Sequence, residues 1–301
     1  MAKATARAGD TDKSRLVGVD VHGGLGNQLF MYAAGYALAR RRGAELRLNT
    51  YWFTRTTDRK LALDRFGISW TECWHPRARG VWRAVWRAFG VDRSNPFRHG
   101  VVRERSYRFM PELADVPLPA FLMGYFQSWR YFADVEAEIR AIFDPSRFAS
   151  DATAPVAAAI AAAREPVMVH IRRGDYASNA NTLDRFGLLG ADYYERSRAA
   201  VEERVKAPSY FVFSDDPVVA RALLGHWPNA TFVAGLTDTE DLLLMTRCKH
   251  FIIANSTFSW WSAWLGRTTG GVVVAPDAWV SAKLRPEMPT TDLFPPDWLV
   301  V

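Results

Sequence analysis

Apolar positions near the start of the chain form a compact pattern. The run LVGVDVH (Leu16–His22) predicts a strand, and the glycine-rich segment Gly23-Gly24-Leu25-Gly26-Asn27-Gln28 predicts a turn. Beyond it Leu29, Tyr32, Ala33, Tyr36 and Ala37 recur at helical spacing. Arg40, Arg41 and Arg42 fall in the last turn of that helix, and Gly43 stops it. Ala44–Asn49 predicts a second strand, which completes a β-loop-α-β opening.

The second half repeats this grammar. Short apolar strands are predicted at Val167–Ile171, Tyr210–Phe213, Thr231–Val233, Phe251–Ala254 and Val272–Ala275. Helices are predicted between them at Ala191–Val205, Pro217–Leu224, Thr239–Arg247 and Phe258–Leu265. Thr237 followed three residues later by Glu240 is a capping-box signal. The alternation implies parallel sheets covered on both faces. The alanine-rich stretch Ser150–Pro166, with Asp151 as its candidate cap, predicts a helix at a domain boundary. The reading is a flexible tail at 1–14, an α/β domain at 15–150 and a second at 151–301. Gly124–Trp129 reads as a strand running into a loop, and Trp82, Val85, Trp86 and Phe89 have helical spacing.

Composition narrows the class. With 49% apolar and 23% charged residues in 301, the chain is an ordinary globular protein. No apolar run reaches the roughly 20 residues of a membrane helix, and the N-terminus lacks the apolar core of a secretory signal. Cys73 and Cys248 make neither a disulfide framework nor a zinc site, so a reducing cytoplasm is the expected setting. Nine arginines and two acids lie between His75 and Phe109, a local +7 against a total of +6. Charge confined to one segment is not the footprint of a nucleic-acid binder. Two readings of that segment stand. In one, Trp82 and Trp86 pack inward beneath a solvated basic face. In the other, with Arg83 and Arg87, they dock peripherally on an anionic inner-membrane surface.

Four segments carry chemistry. The Gly23–Gln28 turn brings backbone N–H groups close to a phosphate or sugar, or is a plain turn with Asn27 as its cap. It does not match the dinucleotide fingerprint, because Leu29 stands where the third glycine belongs. His170-Ile-Arg-Arg-Gly-Asp-Tyr176 ends an apolar strand, where ligands of open α/β sheets bind. Arg172 and Arg173 alternate in direction. One suits phosphate oxygens, and the other pairs with Asp175 or another acid. Ser214-Asp215-Asp216 follows the next strand, and an aspartate there accepts from a guanine edge or ribose hydroxyls, or caps a helix before Pro217. Asn255-Ser-Thr-Phe258 opens a helix and offers an anion site at its N-terminus. Trp260, Trp261 and Trp264 behind it either stack on a sugar or pack between helix and sheet. No Walker A lysine appears. The metal-binding D-x-D spacing occurs only at Asp10 and Asp12, in the tail. A nucleotide diphosphate and a second, polar partner are the ligands these residues imply.

The ordered set GGLGNQLF, HIRRGDY, FSDD and NSTFSWWSAWL resembles the α-1,2-fucosyltransferases, inverting enzymes of glycosyltransferase family 11 that use GDP-fucose. GYFQSWRYF and Pro276-Asp-Ala-Trp279 add to the likeness, which runs from about Val19 to Trp279. Met31 departs from it, standing where many members have Gln, a change expected to alter acceptor contacts.

The resemblance implies a GT-B-like α/β fold of two Rossmann-type domains facing a cleft, with an acceptor-side first domain and GDP-fucose on the second. It implies that Arg172 binds the β-phosphate and stabilises departing GDP, with Arg173 and Asp175 in support. His170 and Asp215 or Asp216 would hold guanosine. Asn255, Ser256, Thr257 and Phe258 would close over the diphosphate. Gly24 and Gly26 would let the first loop approach the donor, with Asn27 across the cleft near the reacting carbon. No metal or other cofactor is expected. The partners are GDP-fucose and a galactoside glycan, with no nucleic acid. Asp20 reads either as the base for the acceptor hydroxyl or as an acid of the strand core. The rival readings are a transferase for another GDP-sugar and a non-catalytic GDP-sugar-binding module.

Overall fold

The computed structural model describes residues 14–57, 59–73, 100–174 and 180–301 of the chain. The expectations placed on Asp10, Asp12, Trp82, Arg83, Val85, Trp86, Arg87, Phe89 and Asp175 lie outside the described residues. Two compact units divide the chain. One comprises Phe109–Glu136 with the residues up to Arg105, and the other Ala137–Val301 with Ser106–Arg108.

The first unit opens with β1 (Leu16–Asp20), α1 (Leu25–Arg42) and β2 (Glu45–Asn49). Short strands β3 (Thr71–Glu72), β4 (Val101–Arg103) and β5 (Ala120–Met123) complete a parallel sheet of order β3-β2-β1-β5-β4. Gly43 closes α1 in the left-handed conformation after Arg40–Arg42, as its sequence requires. The helix starts four residues earlier than its apolar spacing suggested. Gly24 is the N-cap, so Asn27 lies in the first turn and does not cap it. Close approach explains part of the packing: a Cβ on Gly35 would lie 2.3 Å from Val19 Cγ2. Met31 is fully buried on α1, so its side chain packs in the core and the expected change in acceptor contacts does not apply.

The second unit begins earlier than 151. In α2 (Glu136–Ile142), Arg140 donates to the Leu265 carbonyl at 2.9 Å and stacks on Trp264, and the following Phe143 meets Trp261 edge-on. These contacts tie Arg140 and Phe143 to the helix at Thr257–Gly266 of the second unit. Then come α3 (Ala154–Ala162), β6 (Pro166–Ile171), α4 (Ala180–Phe186), α5 (Ala191–Glu202) and β7 (Ser209–Ser214). Thr153, not Asp151, occupies the N-cap position of α3. Next are α6 (Pro217–Leu224), β8 (Ala230–Val233), α7 (Asp238–Thr246), β9 (His250–Ile252), α8 (Thr257–Gly266), β10 (Val273–Ala275) and β11 (Leu299–Val300). The sheet is parallel, of order β11-β10-β9-β6-β7-β8. Central β6 is buried along its length, as a strand covered on both faces must be. The Thr237–Glu240 capping box forms in full. Both units are therefore α/β with Rossmann-type parallel sheets.

Candidate active site

In the second unit, β6 and β7 run in register from Pro166 opposite Ser209 to Ile171 opposite Ser214. The next residue of each strand continues that register and brings Arg172 beside Asp215, Nη1 to Oδ2 2.6 Å. The other oxygen of Asp215 accepts from the Arg173 backbone N–H at 2.8 Å. Gly174 is needed here, because a Cβ would come within 2.5 Å of Asp215 Oδ2. One carboxylate thus fixes both the guanidinium of Arg172 and the turn that carries it. Arg172 is the arginine paired with an acid, a role the sequence allotted to either one. The Arg173 side chain points away and inward, where Nη2 donates to the Leu189 carbonyl at 2.8 Å.

Asp216 takes the structural reading of its motif. Its Oδ1 accepts from Val219 N at 3.0 Å and caps α6. The acid pair therefore divides, with Asp215 turned to the arginines and Asp216 to a helix. His170 is buried, and desolvation pushes its imidazole well below the ordinary range. Its Nδ1 is fully enclosed without a hydrogen-bond partner among the described residues, and its ring lies 5.9 Å from that of Phe258. A buried neutral imidazole packs here and brings no positive charge to a phosphate.

The third segment arrives from β9. Asn255 donates from Nδ2 to the Phe186 carbonyl at 3.0 Å, which ties the loop to α4. Ser256 is the N-cap of α8, and its hydroxyl makes no cap bond. Thr257 is the first helical residue and Phe258 is half-buried beside it. A helix N-terminus of this kind favours negative charge. Trp260 and Trp261 are fully buried and Trp264 nearly so, with Trp260 donating to the Leu293 carbonyl at 3.0 Å. Packing, not sugar stacking, is their role.

Two residues missed in the sequence hold this strand edge in place. Tyr193 and Tyr194 on α5 are buried and donate to the Ile253 and His170 carbonyls, the latter at 3.1 Å. Burial pushes both phenols up, so they remain donors. The signal was an adjacent tyrosine pair on a helix, since a buried tyrosine hydroxyl needs a partner.

In the first unit, Gly23 has φ +77°, a left-handed turn suited to glycine. Gly24 follows as cap, where an added Cβ would touch nothing within 4 Å, and Gly26 is buried in the first turn. Gln28 is fully buried. It donates to the Gly23 and Lys60 carbonyls at 2.9 Å each and accepts from Ala62 N at 2.8 Å, so it is a structural brace. Asn27 Oδ1 accepts from Gln127 Nε2 at 2.9 Å, joining the two motifs of this unit. Asp20 ends β1 half-buried. Glu104, which the sequence did not flag, is enclosed by the 124–128 loop and accepts from Tyr125 N at 2.7 Å. Burial pushes its carboxyl up to about 7, against the backbone N–H groups of residues 125–127. Both cysteines are buried thiols. Among the described residues, no three His, Cys, Asp or Glu side chains are grouped to hold a metal ion, and no helix is long and apolar enough to cross a membrane.

Comparison with known proteins agrees with the motif order. The chain is 32% identical to an alpha-1,2-colitosyltransferase of Escherichia coli, over 92% of this chain and 96% of that one. It is 25% identical to the galactoside 2-alpha-L-fucosyltransferase SEC1 of Bos taurus, over 93% and 72%. Among solved structures it is similar to the NodZ alpha-1,6-fucosyltransferase soaked with GDP-fucose, with 15% identity over 84% and 92% of the two chains. The TM-score is 0.43, and at that score the likeness carries no weight. The model of glycosyl transferase family 11 matches residues 3–301, and with both units and every motif inside that span, the chain belongs to this family.

Proposed function

We propose that the protein transfers L-fucose from GDP-β-L-fucose to the 2-hydroxyl of a galactoside, with inversion to an α-1,2-fucoside. The observation that carries this reading is the Arg172–Asp215 pair at the carboxyl end of β6, in a family 11 chain whose relatives include galactoside 2-alpha-L-fucosyltransferases. In the reaction the acceptor oxygen bonds to the anomeric carbon as the bond to the β-phosphate oxygen breaks. The acceptor proton leaves to a base, and the electron pair stays on GDP. Charge grows on the diphosphate, where a braced guanidinium and the N-terminus of α8 supply positive potential. Ser256 and Thr257 offer hydroxyl and backbone donors to the same oxygens. Asp175 and Asn27 complete the proposed catalytic set, and His170 would border the guanosine.

A second reading has a specific observation behind it. The Escherichia coli relative is a colitosyltransferase, so a GDP-linked sugar other than fucose is the competing donor. Product analysis by mass spectrometry, with GDP-fucose and GDP-colitose offered to a galactoside array followed by linkage analysis, decides the matter. An α-1,2-fucoside supports the proposal. Product from GDP-colitose alone transfers the assignment to that donor. Tight GDP binding without turnover of either would make the chain a binding module. Docking on an anionic membrane through Arg83 and Arg87 belongs to the same proposal. It predicts co-sedimentation with anionic vesicles that falls with salt.

A further inference from the structure

Three neighbouring strands of the first sheet each release an aromatic ring at their carboxyl ends. β1 ends at Asp20 and leads to His22, β2 ends at Asn49 and leads to Trp52, and β5 ends at Met123 and leads to Tyr125. The order β2-β1-β5 places His22 in the middle. Its ring centroid is 4.9 Å from that of Tyr125 and 6.2 Å from that of Trp52. Trp52 is 37% exposed, one of few large apolar side chains so placed among the described residues. No described residue accepts from its indole N–H. Its ring also meets that of Phe53 edge-on at 5.1 Å, which still leaves more than a third of the residue exposed.

The imidazole of His22 has a defined tautomer. Nδ1 lies 3.1 Å from the Asp20 carbonyl, which can only accept, so Nδ1 carries the proton. In the neutral ring Nε2 then presents a lone pair, and no described residue donates to it. The group next in sequence leads to the expected chemistry. A Cβ on Gly23 would lie 3.0 Å from Nδ2 of Asn27, so the Asn27 amide stands over the residue that follows His22.

An indole with an exposed face, beside a fixed hydrogen-bond acceptor, matches a pyranose. Such a sugar has one apolar C–H face and hydroxyls around its rim. Carboxyl ends of parallel strands are where such folds place ligands. We propose that His22 and Trp52, flanked by Tyr125, form the subsite for the acceptor sugar. A β-galactoside would lay its C–H face on Trp52 and donate a hydroxyl proton to Nε2 of His22. The proposal rests on the transferase reading above for the identity of the sugar.

The test needs no turnover. Saturation-transfer NMR with methyl β-D-galactoside is run on wild type, Trp52→Ala, Trp52→Phe and His22→Phe. Trp70→Ala is the control, a half-buried indole that donates to Glu72 at 3.1 Å and lies outside the subsite. The subsite predicts strong saturation of the ring C–H protons in wild type and at least a tenfold loss in Trp52→Ala. Trp52→Phe should recover part of it, and Trp70→Ala should match wild type. In kinetics the acceptor KM should rise at least tenfold in Trp52→Ala and His22→Phe, with the KM for GDP-fucose held. An acceptor KM or an NMR response within twofold of wild type in Trp52→Ala overturns the subsite, even while fucosyl transfer proceeds. Trp52-dependent galactoside binding with no fucosylated product overturns the fucosyltransferase reading and leaves the subsite standing. Wild type that neither binds nor transfers removes both.

Discussion

Arg172 and Asp215 meet across the ends of β6 and β7 at 2.6 Å because strand register, not loop chance, makes them neighbours. The pair is partly solvent-accessible, with side-chain exposures of 21% and 26%. A lysine at 172 keeps charge but loses the planar fork that meets both carboxylate and phosphate. Arg172→Lys is expected to lower kcat/KM by about 100-fold or more, the scale seen when one preorganised donor to a developing oxyanion is removed. Near-wild-type kcat/KM would remove Arg172 from the mechanism. Arg173→Lys should do less harm to catalysis.

Asp215 acts through Arg172, so its loss should not add to that of its partner. Asp215→Asn alone should lower kcat/KM by about tenfold. In the Arg172→Lys background it should add little, because residues in one network couple. Full additivity in the double-mutant cycle would show that the two residues work independently.

The adjacent Asp216 predicts a different phenotype. Asp216→Ala removes the cap of α6 and should cost about 1 kcal/mol of stability. Kinetic constants at 25 °C should stay near wild type. A selective rise in the KM for GDP-fucose, with unchanged denaturation, would instead assign Asp216 to the nucleotide.

Glu104 predicts a pH dependence. Its carboxyl ordinarily titrates at 4.5 and is raised to about 7 in the folded chain, chiefly by burial. The folded state therefore holds the proton more tightly, and the associated stability is complete below 4.5. It is lost as pH rises through 7, by at most about 3 kcal/mol. Glu104→Gln keeps an acceptor for Tyr125 N and removes the titration. Urea midpoints of the variant should fall less between pH 5 and pH 8 than those of wild type. Equal falls would exclude Glu104 as the source.

Because Arg172 and the α8 N-terminus are proposed to supply the potential opposite the diphosphate, activity should survive EDTA. Initial rates after exhaustive chelation should match untreated enzyme. Loss of turnover that Mn²⁺ or Mg²⁺ restores, and that is not a product-release effect, would overturn this.

Much of the fold was determined locally. Periodic apolar residues, Gly43 after three arginines and the Thr237–Glu240 box each act within one or two turns of chain, so strands and helices could be read near their observed places. The order of motifs also marked the family. Tertiary structure alone decided which partner each motif residue meets. Asp215 and Asp216 are adjacent and chemically equal, yet one meets Arg172 and the other caps α6. Met31 looked like an acceptor-side change and proved to be core, while Trp260 and Trp261, open to both sugar stacking and packing, took the commoner packing role. Glu104 and Trp52 carried no local signal, because their surroundings come from β1, β2, β4 and β5, far apart in sequence. Strand order and register set which side chains become neighbours. Both depend on the free energy of the whole packed sheet, which no short window of sequence contains.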